Sequence, residues 1–134
     1  MSTKVRMSLQ VTVDSGPSWN INAIDDVEAY GVIDVTINAG AADKVVQVQP
    51  ATPAVRVNLL VIQSDLYGAE ITYKASDSAT DSNPVTLHGP HFFGRGVASL
   101  FGVNVLSLKF SNANAAATNK HARIQVLVGR DATP

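Results

Sequence analysis

Three histidines, eleven serines and no cysteine bound the side-chain chemistry open to this 134-residue chain. Without cysteine there are no disulfides, thiolate metal sites or thiol nucleophiles. A nucleophile and its base would have to join a serine to His88, His91 or His121, and the sequence has no Gly-x-Ser-x-Gly elbow to present one. His88 and His91 stand three apart, close enough to share a metal, but Gly89-Pro90 separates them and the nearest downstream carboxylate is Asp131. The spacing of two along a strand face, as in jelly-roll metalloenzymes, is missing. Asp77, Asp81 and Asn83 lack the alternating ligands and the glycine of a calcium loop. Gly94-Arg95-Gly96 has neither the lysine of a phosphate loop nor a dinucleotide fingerprint. These residues read as turns and loops, so the chain is expected to be no enzyme and to hold no cofactor or metal. Phe92 and Phe93 beside Arg95 read differently. Adjacent aromatics cannot easily both enter one small core, and aromatics and arginine are enriched where subunits meet. With His91 they form the candidate interface, His91, Phe92, Phe93 and Arg95, with core packing as the alternative.

The elements that must position these residues are strands. Eighteen valines, seven isoleucines and nine threonines favour a pleated surface over a helix. Val5, Met7, Leu9, Val11 and Val13 alternate with Arg6, Ser8, Gln10 and Thr12 up to the turn Asp14-Ser15-Gly16-Pro17. Trp19, Ile21 and Ala23 continue the alternation, and Asp25-Asp26-Val27-Glu28 reads as a loop or one helical turn. Strands follow at residues 32–38 and 44–49, the latter stopped or held at an edge by Pro50 and Pro53. Residues 55–63 become apolar on both faces at Leu59-Leu60-Val61-Ile62, as a central strand covered on both sides would. Further strands are expected at 69–75, 85–87, 103–110 and 121–129. Residues 76–84 read as an exposed, mobile loop, 88–96 as a glycine-rich loop and 97–101 as one helical turn. About eight strands at short spacing predict one all-β domain over residues 1–134, an antiparallel β-sandwich or jelly roll. Val11, Val35, Ile37, Val57, Leu59, Val61, Ile71, Leu108, Ile124 and Val126 are the expected core, and residues 76–83 are expected outside it.

Composition removes further classes of function. Hydrophobic residues make up 46% of the chain and charged residues 16%, against about 25% charged in an average soluble protein. Such a chain can bury a core but carries a sparsely charged surface. A net charge of −1 gives no field for gripping a phosphate backbone, so nucleic acid is not an expected partner. The longest apolar run, Leu59-Leu60-Val61-Ile62, is far shorter than the roughly 20 residues of a membrane span, and the N-terminus alternates where a signal peptide would be continuously apolar. No membrane association is expected. Residues 1–81 hold five bases and ten acids, and residues 82–134 five bases and one acid, which would give a basic patch unless early and late strands interleave.

Several stretches of the C-terminal half carry a resemblance. They are Leu59-Leu60-Val61-Ile62, Gly68-Ala69-Glu70-Ile71-Thr72-Tyr73-Lys74, Leu87-His88-Gly89-Pro90-His91, Leu106-Ser107-Leu108-Lys109-Phe110-Ser111-Asn112 and the terminal Ile124-Gln125-Val126-Leu127-Val128-Gly129-Arg130-Asp131. In this style of short, cysteine-free chain rich in Val, Ala, Asn and Thr, the protein resembles small virion structural proteins of tailed bacteriophages, most nearly head decoration (cement) proteins. The resemblance implies a β-sandwich or jelly roll, a homo-oligomer (dimer or trimer), and the major capsid protein as partner. It implies a place on the capsid exterior after assembly in the host cytoplasm, with edge strands and residues 1–8 free for β-augmentation. A tail, fibre or head-fibre component would suit the same composition. A carbohydrate-binding β-sandwich would instead need Trp19, Tyr30, Tyr67 and Tyr73 as an exposed stacking platform.

Overall fold

The computed structural model describes residues 3–48, 56–94, 100–103 and 105–131. They form an all-β, sandwich-like molecule of antiparallel strands. The strands are β1 (Thr3–Thr12), β2 (Ser18–Val27), β3 (Ala29–Ile37), β4 (Lys44–Gln47), β5 (Arg56–Ser64), β6 (Ile71–Ser76), β7 (Val85–Thr86), β8 (His91–Phe93), β9 (Ser107–Asn112) and β10 (Ala122–Asp131). One 3-10 turn, Ala116–Thr118, lies between β9 and β10.

Period-two alternation decides how each strand sits. On β10, Ala122, Ile124, Val126 and Val128 are buried while Arg123, Gln125 and Leu127 face the other way. Strands β3, β10, β5 and β8, in that order, form one four-stranded sheet, and β4, β9, β6 and β7 form the other. Their inner faces meet in one core, with Leu60 and Ile62 of β5 opposite Ile71 and Tyr73 of β6 and Leu108 and Phe110 of β9. β5 is an interior strand, as its doubly apolar run predicts: Leu60 enters the core, and Leu59, on the opposite face, is fully covered as well.

Strands β1 and β2 belong to neither sheet. They pair over their whole length, from Thr3 opposite Val27 to Thr12 opposite Ser18, as a separate two-stranded ribbon. Its turn is closed by the Val13 N–H donating to the Pro17 carbonyl at 2.9 Å and the Gly16 N–H to the Val13 carbonyl at 2.8 Å. Ten residues per strand make this arm roughly 30 Å long.

Several expectations are corrected. Residues 25–28 are no loop or helical turn: Asp25, Asp26 and Val27 end β2, and only Glu28 separates it from β3. Residues 3–8 are not free for augmentation on both sides, because β1 already pairs with β2. The glycine-rich stretch 88–96 contains strand β8, held by register with Leu60, Val61 and Ile62. Val11 is 39% exposed, and Val35 and Val61 are half-buried, because the first lies on the arm and Val61 on the outer face of its sheet. Ser76 is buried, and the loop after it is tied down by Asp77 Oδ1, which accepts from the N–H groups of Ala79 at 2.9 Å and Thr80 at 2.6 Å. The uneven charge along the sequence is neutralised in space, since late bases meet early acids at Arg123–Asp34 and Lys109–Asp81. Pro50, Pro53, Arg95 and residues 97–99 lie outside the described residues.

Candidate functional site

The arm is amphipathic, and the reason is register. With Leu9 opposite Ile21, the pairs Val5–Asp25, Met7–Ala23, Leu9–Ile21 and Val11–Trp19 share one face. Lys4, Arg6, Ser8, Gln10 and Thr12 share the other with Ser18, Asn20, Asn22, Ile24 and Asp26. The apolar face is partly covered toward its root, where Val5 and Met7 are half-buried, and open toward its tip, where Leu9 and Ile21 are close to half exposed and Trp19 is 64% exposed. On the polar face Lys4 Nζ lies 3.1 Å from Asp26 Oδ1, an exposed pair of little energetic weight.

At its root the arm is wedged onto the sandwich. Val27 is fully buried against Gly129 and Leu59. A Cβ on Gly129 would stand 2.7 Å from Val27 Cγ1 and 3.0 Å from Leu59 Cβ, so only glycine permits this approach. The Glu28 N–H donates to the Arg130 carbonyl at 3.0 Å, just past the bulge where β10 shifts register against β5.

Beyond the root, the outer face of the β3-β10-β5-β8 sheet carries a second apolar feature. Val32, Leu127, Val61 and Phe92 are consecutive register partners, one from each strand, and form a row across the sheet. Its two ends, Val32 at 67% and Phe92 at 55%, are exposed. A groove of about 580 Å³ separates this row from the arm, lined by Val5, Met7, Leu9 and Ile21 above and Val61, Leu127 and Phe92 below. The next row along the sheet is polar: Asp34, Gln125 and Gln63 are register partners, and Gln63 Nε2 donates to Gln125 Oε1 at 2.9 Å. Arg123 Nε donates to Asp34 Oδ1 at 3.0 Å, which holds the Asp34 carboxyl below the usual carboxylate range and raises the guanidinium. An apolar centre beside a polar border is the anatomy of a binding surface.

The four sequence-derived interface residues separate. Phe92 is on this surface. Phe93 turns inward, 5.4 Å from Phe101 and 5.8 Å from His91 between ring centroids. His91 faces Tyr73, whose hydroxyl lies 2.6 Å from its Nδ1. Arg95 is outside the described residues. Of the arm's strip of Leu9, Val11, Trp19 and Ile21, the sequence reading placed Val11 in the core and did not single out the strip as a surface. Mirror-image alternation about Asp14-Ser15-Gly16-Pro17 could have revealed the hairpin, though not its exposure.

Other chemistry finds no assembled centre. Among the described residues no group of three His, Cys, Asp or Glu side chains could hold a metal ion, and no helix is long and apolar enough to cross a membrane. The four aromatics of a glycan platform are dispersed: Tyr73 is buried, Tyr67 is half-buried with its hydroxyl accepting from the Ser64 N–H, and Trp19 sits near the tip of the arm. Compared with known proteins, the chain matches no family model, no curated protein and no solved structure.

Proposed function

We propose that this chain is a virion structural protein, a capsid decoration or cement protein that binds across major capsid subunits on the outside of a phage head. The observation that carries the reading is the amphipathic arm, a long hairpin whose apolar face is exposed over its distal half, at Leu9, Val11, Trp19 and Ile21. Keeping such a face in water is unfavourable at about 25 cal/mol per Å², so its use lies in association. The strand order supports the same reading. Counting the eight sandwich strands from β3, the two sheets run 1-8-3-6 and 2-7-4-5, which we read as a jelly roll, an architecture of viral capsid and lectin domains.

In this role the chain has no catalytic or cofactor function. The arm and the Val32–Leu127–Val61–Phe92 row dock on neighbouring capsid subunits, with the Asp34–Gln125–Gln63 row at the border. Binding only to the assembled shell stabilises it by mass action, by about 2.7 kcal/mol per site at a hundredfold excess over Kd. The test is co-sedimentation with purified, expanded heads, with separated tails as a control. Saturable binding to heads at a symmetry-compatible ratio is expected. Protein that stays in the supernatant overturns the reading, and binding to tails alone moves the protein to a tail or fibre.

A further inference from the structure

We propose that the free edge of β3 pairs with the β3 edge of a second copy, antiparallel about a two-fold axis at Val32, joining two four-stranded sheets into one of eight strands. The inference goes beyond the capsid reading and does not depend on it.

β3 ends its sheet, with β10 on one side and no described strand on the other. The main-chain groups it leaves unpaired follow from the neighbouring ladder. The Asp65 N–H donates to the Arg123 carbonyl at 3.1 Å, and Asp65 Oδ1 accepts the Arg123 N–H at 2.9 Å, so both main-chain groups of Arg123 point toward β5. Alternation turns those of Ile124, Val126 and Val128 toward their register partners Val35, Ile33 and Gly31 on β3. The peptide groups of Tyr30, Val32, Asp34 and Thr36 then point out of the sheet edge. Other edges of the sandwich are short: β7 has two residues, β8 three, and β4 four beginning at Lys44. β3 has nine, with no proline, lysine or bulge to deter pairing. The arm does not shield it. From its root the arm crosses toward Val61, Phe92 and Gly94, at the β8 side of the sheet.

The sequence of β3 suits a copy of itself, and Asp34 selects the register. An axis at Asp34 would set two carboxylates directly opposite, and one at Ile33 would make them diagonal neighbours. An axis at Val32 holds them four residues, about 14 Å, apart. Val32 then meets the partner subunit's Val32, and Tyr30 the partner subunit's Asp34. The exposed apolar row Val32–Leu127–Val61–Phe92 runs on into the same row of the second copy. On the inner face Ile33 and Val35, left half-buried at the rim of the core, meet the partner subunit's Gly31 and the partner subunit's Ala29, large beside small. About six main-chain hydrogen bonds close the contact. It buries on the order of 500 Å² per partner, in the class of weak interfaces, so a dimer dissociating at tens to hundreds of micromolar is expected. The axis stands perpendicular to the sheet, so both arms lie on one side and lead away from it.

The chain has no cysteine, so one introduced thiol reports the register. Val32→Cys stands on the axis, where paired Cα atoms are about 5.5 Å apart and within disulfide reach. Thr36→Cys, on the same edge, would lie about 27 Å from its copy. Mild oxidation of the folded chain should link V32C into dimers and leave T36C unlinked. Sedimentation velocity of the wild type up to several hundred micromolar should show a reversible dimer. V32K and V32E, each with like charges on the axis, should sediment as monomers, and their equimolar mixture as a dimer. Val32 is exposed, so the far-UV spectrum and melting should be kept; if one charged variant does not fold, the wild type and the thiol pair still decide. A wild type monomeric throughout overturns the inference, as do equal cross-linking of V32C and T36C and a dimer unchanged in folded V32K. A monomer that binds heads sinks the edge pairing and leaves the proposed function intact; a dimer that ignores heads does the reverse.

Discussion

Tyr73 and His91 meet where the two sheets close. Burial pushes the Tyr73 phenol well above its ordinary pKa of 10.0, so it stays protonated, and its hydroxyl shares a 2.6 Å hydrogen bond with His91 Nδ1. His91 is held below its ordinary 6.5, first by burial and second by the charge of His88. In the unfolded chain His91 takes up a proton near 6.5, whereas in the fold it does so only at lower pH. This site is therefore neutral toward stability above about pH 7 and destabilising as pH falls through 6.5 toward the depressed value. Asp34 and Asp81 are both lowered from 3.8, so they titrate below that window. Urea denaturation at pH 7.5 and 5.5 should show the wild type losing stability, and His91→Phe should lose less. A second residue-scale device is Asn112, fully buried at the end of β9. Its Nδ2 donates to the Ile37 carbonyl at 3.0 Å and the Lys120 carbonyl at 2.8 Å, and its Oδ1 accepts from the Asn114 N–H at 3.1 Å. Asn112→Ala is expected to cost about 2–3 kcal/mol in equilibrium unfolding. Asn112→Asp should cost more, because it faces the two carbonyls with a carboxylate.

At the scale of elements, the joint between arm and sandwich is a contact of three side-chain positions. Gly129→Ala forces its new Cβ against Val27 Cγ1 at 2.7 Å, and overpacking of this kind costs about 1–3 kcal/mol. Val27→Ala makes room, so Gly129→Ala should cost less in that background. Additive losses in the double-mutant cycle would show that the two residues do not share the joint. The same joint explains how much of the fold was legible. Alternation at residues 5–13 and 122–128 identifies strands in both cases, and it reads one face as apolar. What covers that face is a tertiary fact: Ile124 and Val126 lie under a second sheet, whereas Leu9 and Val11 stay 45% and 39% exposed on the arm. β2 was obscured at its end because Asp25 breaks the apolar pattern at the root. β8 was obscured because three residues between glycines give too short a run to show a period. Of the candidate interface, Phe92 was legible because two adjacent aromatics must part, and the sequence could not say which would turn outward. Asn112 read as one polar residue before a loop, since hydrogen bonds to Ile37 and Lys120 leave no local pattern.

The whole molecule combines a sandwich that closes on itself with an arm that does not. The sandwich buries both inner faces in one core, and its opposite charges pair at Arg123–Asp34 and Lys109–Asp81, so no broad field steers partners to it. With a net charge of −1, the proposed association through the arm would be driven by apolar burial. Binding to heads should therefore change little between low and high salt, whereas a charge-driven contact would weaken steeply. The arm is also expected to be the least stable part of the chain in isolation, because a two-stranded ribbon is marginal in water and this one is anchored only at its root. Hydrogen exchange makes that visible. Amides of β5, β9 and β10 should exchange only through global unfolding, and those in the distal half of the β1–β2 ladder through cheap local opening. If a capsid partner covers the exposed distal half of the apolar face, opening must first break that contact, so arm protection should rise on heads. Protection of the arm equal to that of β10 in dilute protein would mean that the ribbon is stabilised within its own chain, and the case for it as an unfilled docking element would fail.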